Sequence, residues 1–212
     1  HPKRLIIIGA GGQGHIIHDV LSRDESLRDR IRLAGFLDTR PELVQPAELT
    51  GSVLGSPLDW KIQPDDLYIP AVGNPLWREK LLAPLIAQGA RFFSYTHAAF
   101  IAARTRIGNG AFLTPGAVVS TDCHIGDFTY LDTFVVVGHD VTIGEYGMIG
   151  AMTFLSGGVR IGRGVAVHPR AVIARDVRIG DGATIGIGSV VVKDVSPGVT
   201  VFGNPARIIN TA

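Results

Sequence analysis

From residue 101 onward the apolar residues fall on a period of six. Positions 101, 107, 113 and every sixth residue up to 191 are Ile, Leu or Val, sixteen in a row. The residues two places earlier, from Thr105 to Ser189, are all Ala, Cys, Thr, Val, Gly or Ser. A helix with 3.6 residues per turn cannot hold such a period on one face. A flat strand alternates by two. A six-residue unit of one short strand and one corner fits, with a large and a small residue pointing inward. Three units close a triangular coil, and coils stack into a prism. The pair Ile-Gly recurs at Ile107, Ile125, Ile143, Ile161 and Ile179, which sets the coil at 18 residues. Residues 101 to 196 make 16 units, a little over five coils. A β-sandwich with chance aliphatic spacing is the competing reading, and the unbroken phase argues against it.

The first part of the chain, residues 3 to about 96, has a different pattern. RLIIIGA is a continuous apolar run, as in a buried parallel strand. GGQGHIIHDVLS turns into a helix with Ile16, Ile17, Val20 and Leu21 apolar. LAGFLD reads as a second strand ending at Asp38, and DLYIPAVGN as a third. Leu76 to Gln88 reads as a helix with Gly89 as its stop, and RFFSYTH as another strand. This predicts a small βαβ-type unit, about half of a full dinucleotide-binding fold.

Composition narrows the function classes. The 27 glycines exceed average usage and imply repeated tight turns or close backbone approaches. The formal net charge is +1 and there is no Lys/Arg run, which disfavours nucleic acid and anionic membranes as partners. The apolar run Leu5–Ile8 is too short for a signal-peptide core or a membrane span. The single cysteine, Cys123, excludes an internal disulfide framework and suits a reducing, cytoplasmic setting.

Within the repeats, His139 and Asp140 stand side by side in the aliphatic stretch VVVGHDVTIG. Imidazole suits proton removal near neutral pH, and an adjacent carboxylate can orient it. In an 18-residue coil, Gly157 stacks on His139. Its backbone N–H could meet an oxyanion, and its lack of a side chain leaves room for an acyl group. A metal reading is disfavoured, because His124, His139 and His168 fall at different phases of the coil. In the first part, Gly9, Gly11 and Gly14 form G-x-G-x-x-G between a strand and a helix, a phosphate-binding arrangement. Asp38, 24 residues after Gly14, ends the next strand, where a carboxylate could meet a ribose or base edge.

The repeat pattern, Lys193-Asp194 and the closing Gly203-Asn204-Pro205-Ala206-Arg207 resemble the hexapeptide-repeat acyltransferases, whose repeat domain is a left-handed parallel β-helix. GAGGQGH, GFLD, AVGNPLWREK and the Tyr-Thr-His before the repeats resemble a narrower branch. It contains nucleotide-amino-sugar N-acetyltransferases and sialic acid O-acetyltransferases. The resemblance implies a half-Rossmann, sugar-nucleotide-binding α/β domain over residues 1–97. It implies a left-handed β-helix over residues 98–212 that binds acetyl-CoA and carries out the chemistry. It implies a homotrimer with active sites between neighbouring prisms. His139 would be the general base for direct transfer, with Asp140 where the family has Glu. Acetyl-CoA contacts would come from Gly157, Met148, His168, Pro169, Gly188, Lys193 and Pro205. Met148 stands where the family often has a second His, and His168 is a possible substitute. Phosphates would lie near Gly11, Gly12, Gly14 and His15, the nucleoside near Asp38 and Arg40, and the sugar-nucleotide pocket by Gly73 and Asn74. No metal is implied. The leading reading is N-acetylation of a UDP- or GDP-linked deoxy-amino sugar. O-acetylation of sialic acid keeps the chemistry with another acceptor. A non-catalytic trimeric nucleotide-binding scaffold is the alternative of another class.

Overall fold

A computed structural model of the chain describes residues 2–43, 46, 49 and 51–210. The chain divides into two compact units, residues 1–93 and 94–212.

The first unit is Rossmann-like. Its strands are β1 (Lys3–Ile8), β2 (Ile31–Leu37), β3 (Val53–Gly55), β4 (Asp66–Pro70) and β5 (Arg91–Phe92). They form one parallel sheet in the order β3-β2-β1-β4-β5. Leu5 to Ile8 of central β1 are buried, as expected of a strand covered on both faces. Helix α1 (Gly12–Arg23) follows β1 and helix α2 (Pro75–Ala87) follows β4. The strand order reverses between β1 and β4. The loops leaving these two strands therefore open side by side at the carboxyl edge of the sheet, the usual ligand position in this architecture.

Two features depart from the sequence expectation. β3 has only three residues, too few for an alternation to register. The stretch RFFSYTH is not one strand: pairing in the first sheet stops at Phe92, and Tyr95 instead bridges Phe112 of the second unit. The aromatic run serves two sheets in succession.

The second unit is a left-handed parallel β-helix built from two-residue strands. Each strand pairs with those one coil away, as Val136 with Phe154 and Val137 with Leu155. Three walls result. An aliphatic wall runs from Phe100–Ile101 to Val190–Val191, and a basic wall from Arg106–Ile107 to Arg178–Ile179. A third wall runs from Phe112–Leu113 to Thr184–Ile185 and continues into the hairpin Thr200–Gly203 and Ala206–Asn210. The inward Ile, Leu and Val and their small neighbours form one continuous core.

The corners have a strict conformation. Every sixth residue from Arg104 to Gly188 has positive φ, including non-glycines such as Asp122, Phe134, Asp140 and Met152. The recurrent Ile-Gly glycines are not these residues. A Cβ on Gly126 would lie 2.6 Å from Glu145 N, and one on Gly144 would lie 2.7 Å from Arg163 N. They are glycine because successive coils touch there, not because of φ. The last coil is short: Val195 pairs with Ile179 and Val201 with Ile185, offsets of 16 instead of 18. Among the described residues, no helix is long and apolar enough to cross a membrane.

Candidate active site

His139 occupies the corner between the aliphatic and basic walls. The corner turns at Asp140, whose φ of 59° is a conformation Asp tolerates better than most residues. This turn folds the carboxylate back, and Asp140 Oδ2 lies 2.6 Å from His139 Nδ1. A carboxylate only accepts, so Nδ1 carries a proton, and in the neutral ring Nε2 keeps the lone pair. Gly158 N–H donates to His139 O at 2.9 Å, which stacks the two corners.

Gly157 lies against the imidazole. A Cβ placed on it would fall 2.7 Å from His139 Nε2 and 2.8 Å from Cε1. The space that the missing side chain leaves is therefore filled by the imidazole itself. The positive φ at this corner belongs to Gly158, at 74°. Ladder bonds run from Ser156 N to Ile173 O and from Gly158 N to His139 O, so the N–H of Gly157 lies outside the ladder.

Charges continue along this corner. One coil before His139, Arg104 grips Asp122 with Nε at 2.6 Å and Nη2 at 2.7 Å, and also reaches Thr121 Oγ1. Hydrogen bonds from Arg104 hold the Asp122 carboxyl below its ordinary range. One coil beyond Gly157 the corner carries Arg175, and Lys193 follows the last strand of the aliphatic wall on the same side. Coils repeat about every 4.8 Å, which spreads these cations along roughly two further coils. Arg175 escaped the sequence reading, although its place 18 residues after Gly157 would have found it.

Other expected coenzyme residues lie elsewhere. Pro169 and Gly188 stack at the corner between the third and aliphatic walls, where Gly188 N–H donates to Pro169 O, and His168 precedes them. Met148 faces outward on the third wall, half-buried. Pro205 sits in the closing hairpin. Within one chain, none of these shares a corner with His139. His139 and the His168 group flank opposite edges of the aliphatic wall. Cys123 points into the core with its Sγ 3.1 Å from Gly138 O, and burial pushes its thiol up.

A second cluster lies in the first unit, where a cavity of about 510 Å³ opens between the loops after β1 and β4. Gly11, Gly12, Asp38, Arg40, Gly73 and Asn74 line it, together with Gln13 and Trp77. Gly14 and His15 do not. Gly14 is needed for packing, since a Cβ there would meet Gly9 O at 2.1 Å. The rings of His15 and Phe36 meet at a steep angle, 75° between their planes. Asp38 accepts four hydrogen bonds, from Ala10 N, Arg40 N, Arg40 Nε and Arg40 Nη2. Burial alone would raise its pKa, but the Arg40 and backbone bonds prevail and hold it low. Asn74 Oδ1 caps α2 by accepting from Trp77 N. The Gln13 carboxamide is buried at both Nε2 and Oε1, without a hydrogen-bond partner among the described residues. Lys80 Nζ lies 4.6 Å from the Trp77 ring centre. Among the described residues no group of three or more His, Cys, Asp or Glu could hold a metal ion.

Residues 4–85 match the PglD N-terminal domain family, and residues 122–157 match the bacterial transferase hexapeptide family of six repeats. No functionally curated protein matches the chain. The fold is similar to the acetyltransferase domain of PglB from Neisseria gonorrhoeae FA1090. That match has 28% identity over 98% of this chain and 100% of the other, with TM-score 0.87. The same domain is also known in complex with acetyl coenzyme A. A mutant of perosamine N-acetyltransferase from Caulobacter crescentus, in complex with CoA and GDP-perosamine, is similar at 26% identity. There the match covers 97% of this chain and 96% of the other, with TM-score 0.87. WeeI from Acinetobacter baumannii AYE is similar at 27% identity over 97% and 99% of the two chains, with TM-score 0.70.

Proposed function

Because the chain is a hexapeptide-repeat acetyltransferase with a PglD-type N-terminal domain, we propose that it moves the acetyl group of acetyl-CoA onto the amine of a nucleotide-linked amino sugar. The observation that carries the chemistry is the seating of His139 between Asp140 and Gly157. The sugar amine attacks the thioester carbonyl carbon. The C–N bond forms, the C–S bond breaks, and the thiolate of CoA leaves. His139 Nε2 takes the proton released by the amine and passes it to the departing sulfur. Asp140 keeps Nδ1 protonated and offsets the charge of the imidazolium. The Gly157 N–H, unused by the ladder, stabilises the developing oxyanion. Transfer is direct, because the only cysteine is buried in the core and its thiol is pushed up.

The coenzyme lies along the His139 corner, with Arg175 and Lys193 facing its phosphates. His168, Pro169 and Gly188 of a neighbouring copy close the groove, since they flank the other edge of the same aliphatic wall. That wall presents Phe100, Val118, Val136, Phe154 and Val172 outward and exposed, which suits association of the chain into a trimer. The nucleotide binds the cavity of the first unit, where the N-terminus of α1, which has no side-chain cap, favours phosphate.

The test is a panel of UDP-, GDP- and dTDP-linked amino sugars with acetyl-CoA, reading free thiol and acetylated product. Turnover of at least one, abolished by His139→Ala without loss of melting temperature, is the expected result. Acetylation of free sialic acid alone would place the acceptor elsewhere. No thiol release with any acceptor would leave a nucleotide-binding scaffold.

A further inference from the structure

The ion pair at the mouth of the first unit's cavity divides its labour in a way the sequence does not show. A carboxylate offers about four acceptor sites. Those of Asp38 are taken by Ala10 N–H, Arg40 N–H and two guanidinium N–H groups. Asp38 is also buried, at 6% exposure, so little of it remains for a ligand. The guanidinium is the opposite case. Of the five N–H donors a guanidinium carries, two are spent on Asp38 along the Nε/Nη2 edge. Among the described residues no hydrogen bond uses the other edge, and the side chain is 56% exposed. Arg40 Nη2 lies 3.8 Å from the Cβ position of Gly11, so the fork stands over the glycine loop. Gly11 is the N-cap of α1, which therefore has no side-chain cap. The Gln13 carboxamide, without a partner among the described residues, lines the same cavity and marks it as built for a polar guest.

We propose that Arg40 binds the diphosphate of the nucleotide through its free edge, and that Asp38 is a positioning residue that does not touch the nucleotide. One side of the guanidinium is pinned so that the other meets phosphate bidentately. The assignment rests on the nucleotide-sugar reading above and refines it: the residue pair expected at the nucleoside becomes a phosphate clamp.

Calorimetric titration of the full chain with guanosine, GMP and GDP, and with uridine, UMP and UDP, tests it. Arg40→Gln should weaken the diphosphate about tenfold to a hundredfold. The loss should shrink for the monophosphate and vanish for the nucleoside. Asp38→Asn should reproduce part of this loss alone and add nothing to Arg40→Gln. Arg40→Lys should recover only part of the affinity, because an ammonium lacks the fork. Melting curves of each variant establish that the first unit remains folded. Equal losses for nucleoside and diphosphate, or additive losses for the two single variants, would overturn the clamp while leaving nucleotide binding intact. A wild-type protein that binds neither diphosphate nor inorganic pyrophosphate would overturn the nucleotide reading and the clamp together.

Discussion

The imidazole of His139 lies on the backbone of Gly157, in the place where any other residue would carry its Cβ. Gly157→Ala therefore pushes on a half-exposed ring that can swing away, rather than on the coil. We expect Gly157→Ala to fold with nearly unchanged melting and to lose about a hundredfold in kcat, because the ring leaves Asp140. Gly138→Ala is the opposite case. Its Cβ would meet Gly157 N at 2.8 Å and Leu155 O at 2.9 Å, both backbone. It should destabilise the prism by about 1–3 kcal/mol, seen in urea unfolding. Equal melting losses for the two variants would refute the distinction.

Much of this corner was legible in advance, and the reason is the coil length. An 18-residue period by itself stacks Gly157 on His139. The conformation was not legible. The positive-φ position falls on Asp140, Phe134 and Met152 as readily as on Gly158, so no residue type announces it. The conspicuous glycine after each Ile marks contact between coils instead. The short final coil was hidden too, since Val195, Val199 and Val201 are aliphatic in either register. In the first unit the glycine loop and Asp38 could be read as a ligand site. That Asp38 is saturated, and that Gln13 is left without partners, depends on three-dimensional distances that spacing does not encode.

Asp140 makes its contact through a carboxylate, at 2.6 Å from Nδ1. Asp140→Asn retains the shape but can present an amide N–H, which permits the wrong imidazole tautomer. We expect a loss of about a hundredfold or more in kcat with little change in KM. Steady-state kinetics at saturating acetyl-CoA check this. A KM effect with unchanged kcat would assign Asp140 to binding.

Among the described residues both amide atoms of Gln13 are buried without a hydrogen-bond partner, and an orphaned buried polar group costs about 1–3 kcal/mol. Gln13→Met should therefore melt at the same temperature as wild type or higher. Its KM for the sugar nucleotide should rise about tenfold, because the carboxamide regains partners only from the ligand. A variant that melts lower and binds normally would mean that the amide serves the fold and not the ligand.

The Asp38 carboxyl sits below its ordinary pKa of 3.8 because Arg40 and backbone N–H groups outweigh its burial. A depressed carboxylate stabilises the fold above the unfolded-state value, and that contribution disappears as pH falls through the folded-state value. Urea midpoints should therefore separate wild type from Asp38→Asn at neutral pH. The gap should narrow from pH 3.8 downward. A constant gap across that range would mean that the carboxylate's charge contributes nothing.

The aliphatic wall gives the sharpest contrast between neighbours. Val136 and Phe154 face outward, while Val137 and Leu155, next in sequence, are buried in the core. If the outward row is the face on which copies meet, Phe154→Glu leaves each prism folded and separates the assembly. Light scattering after size exclusion should report a monomer, far-UV circular dichroism should be unchanged, and activity should fall because the groove loses the neighbour's His168 and Pro169. Leu155→Ala should instead lower stability by about 2–5 kcal/mol by opening a cavity in the core, with assembly retained under conditions where the protein stays folded. An active monomer carrying Phe154→Glu would show that His139 and its own chain suffice for the chemistry.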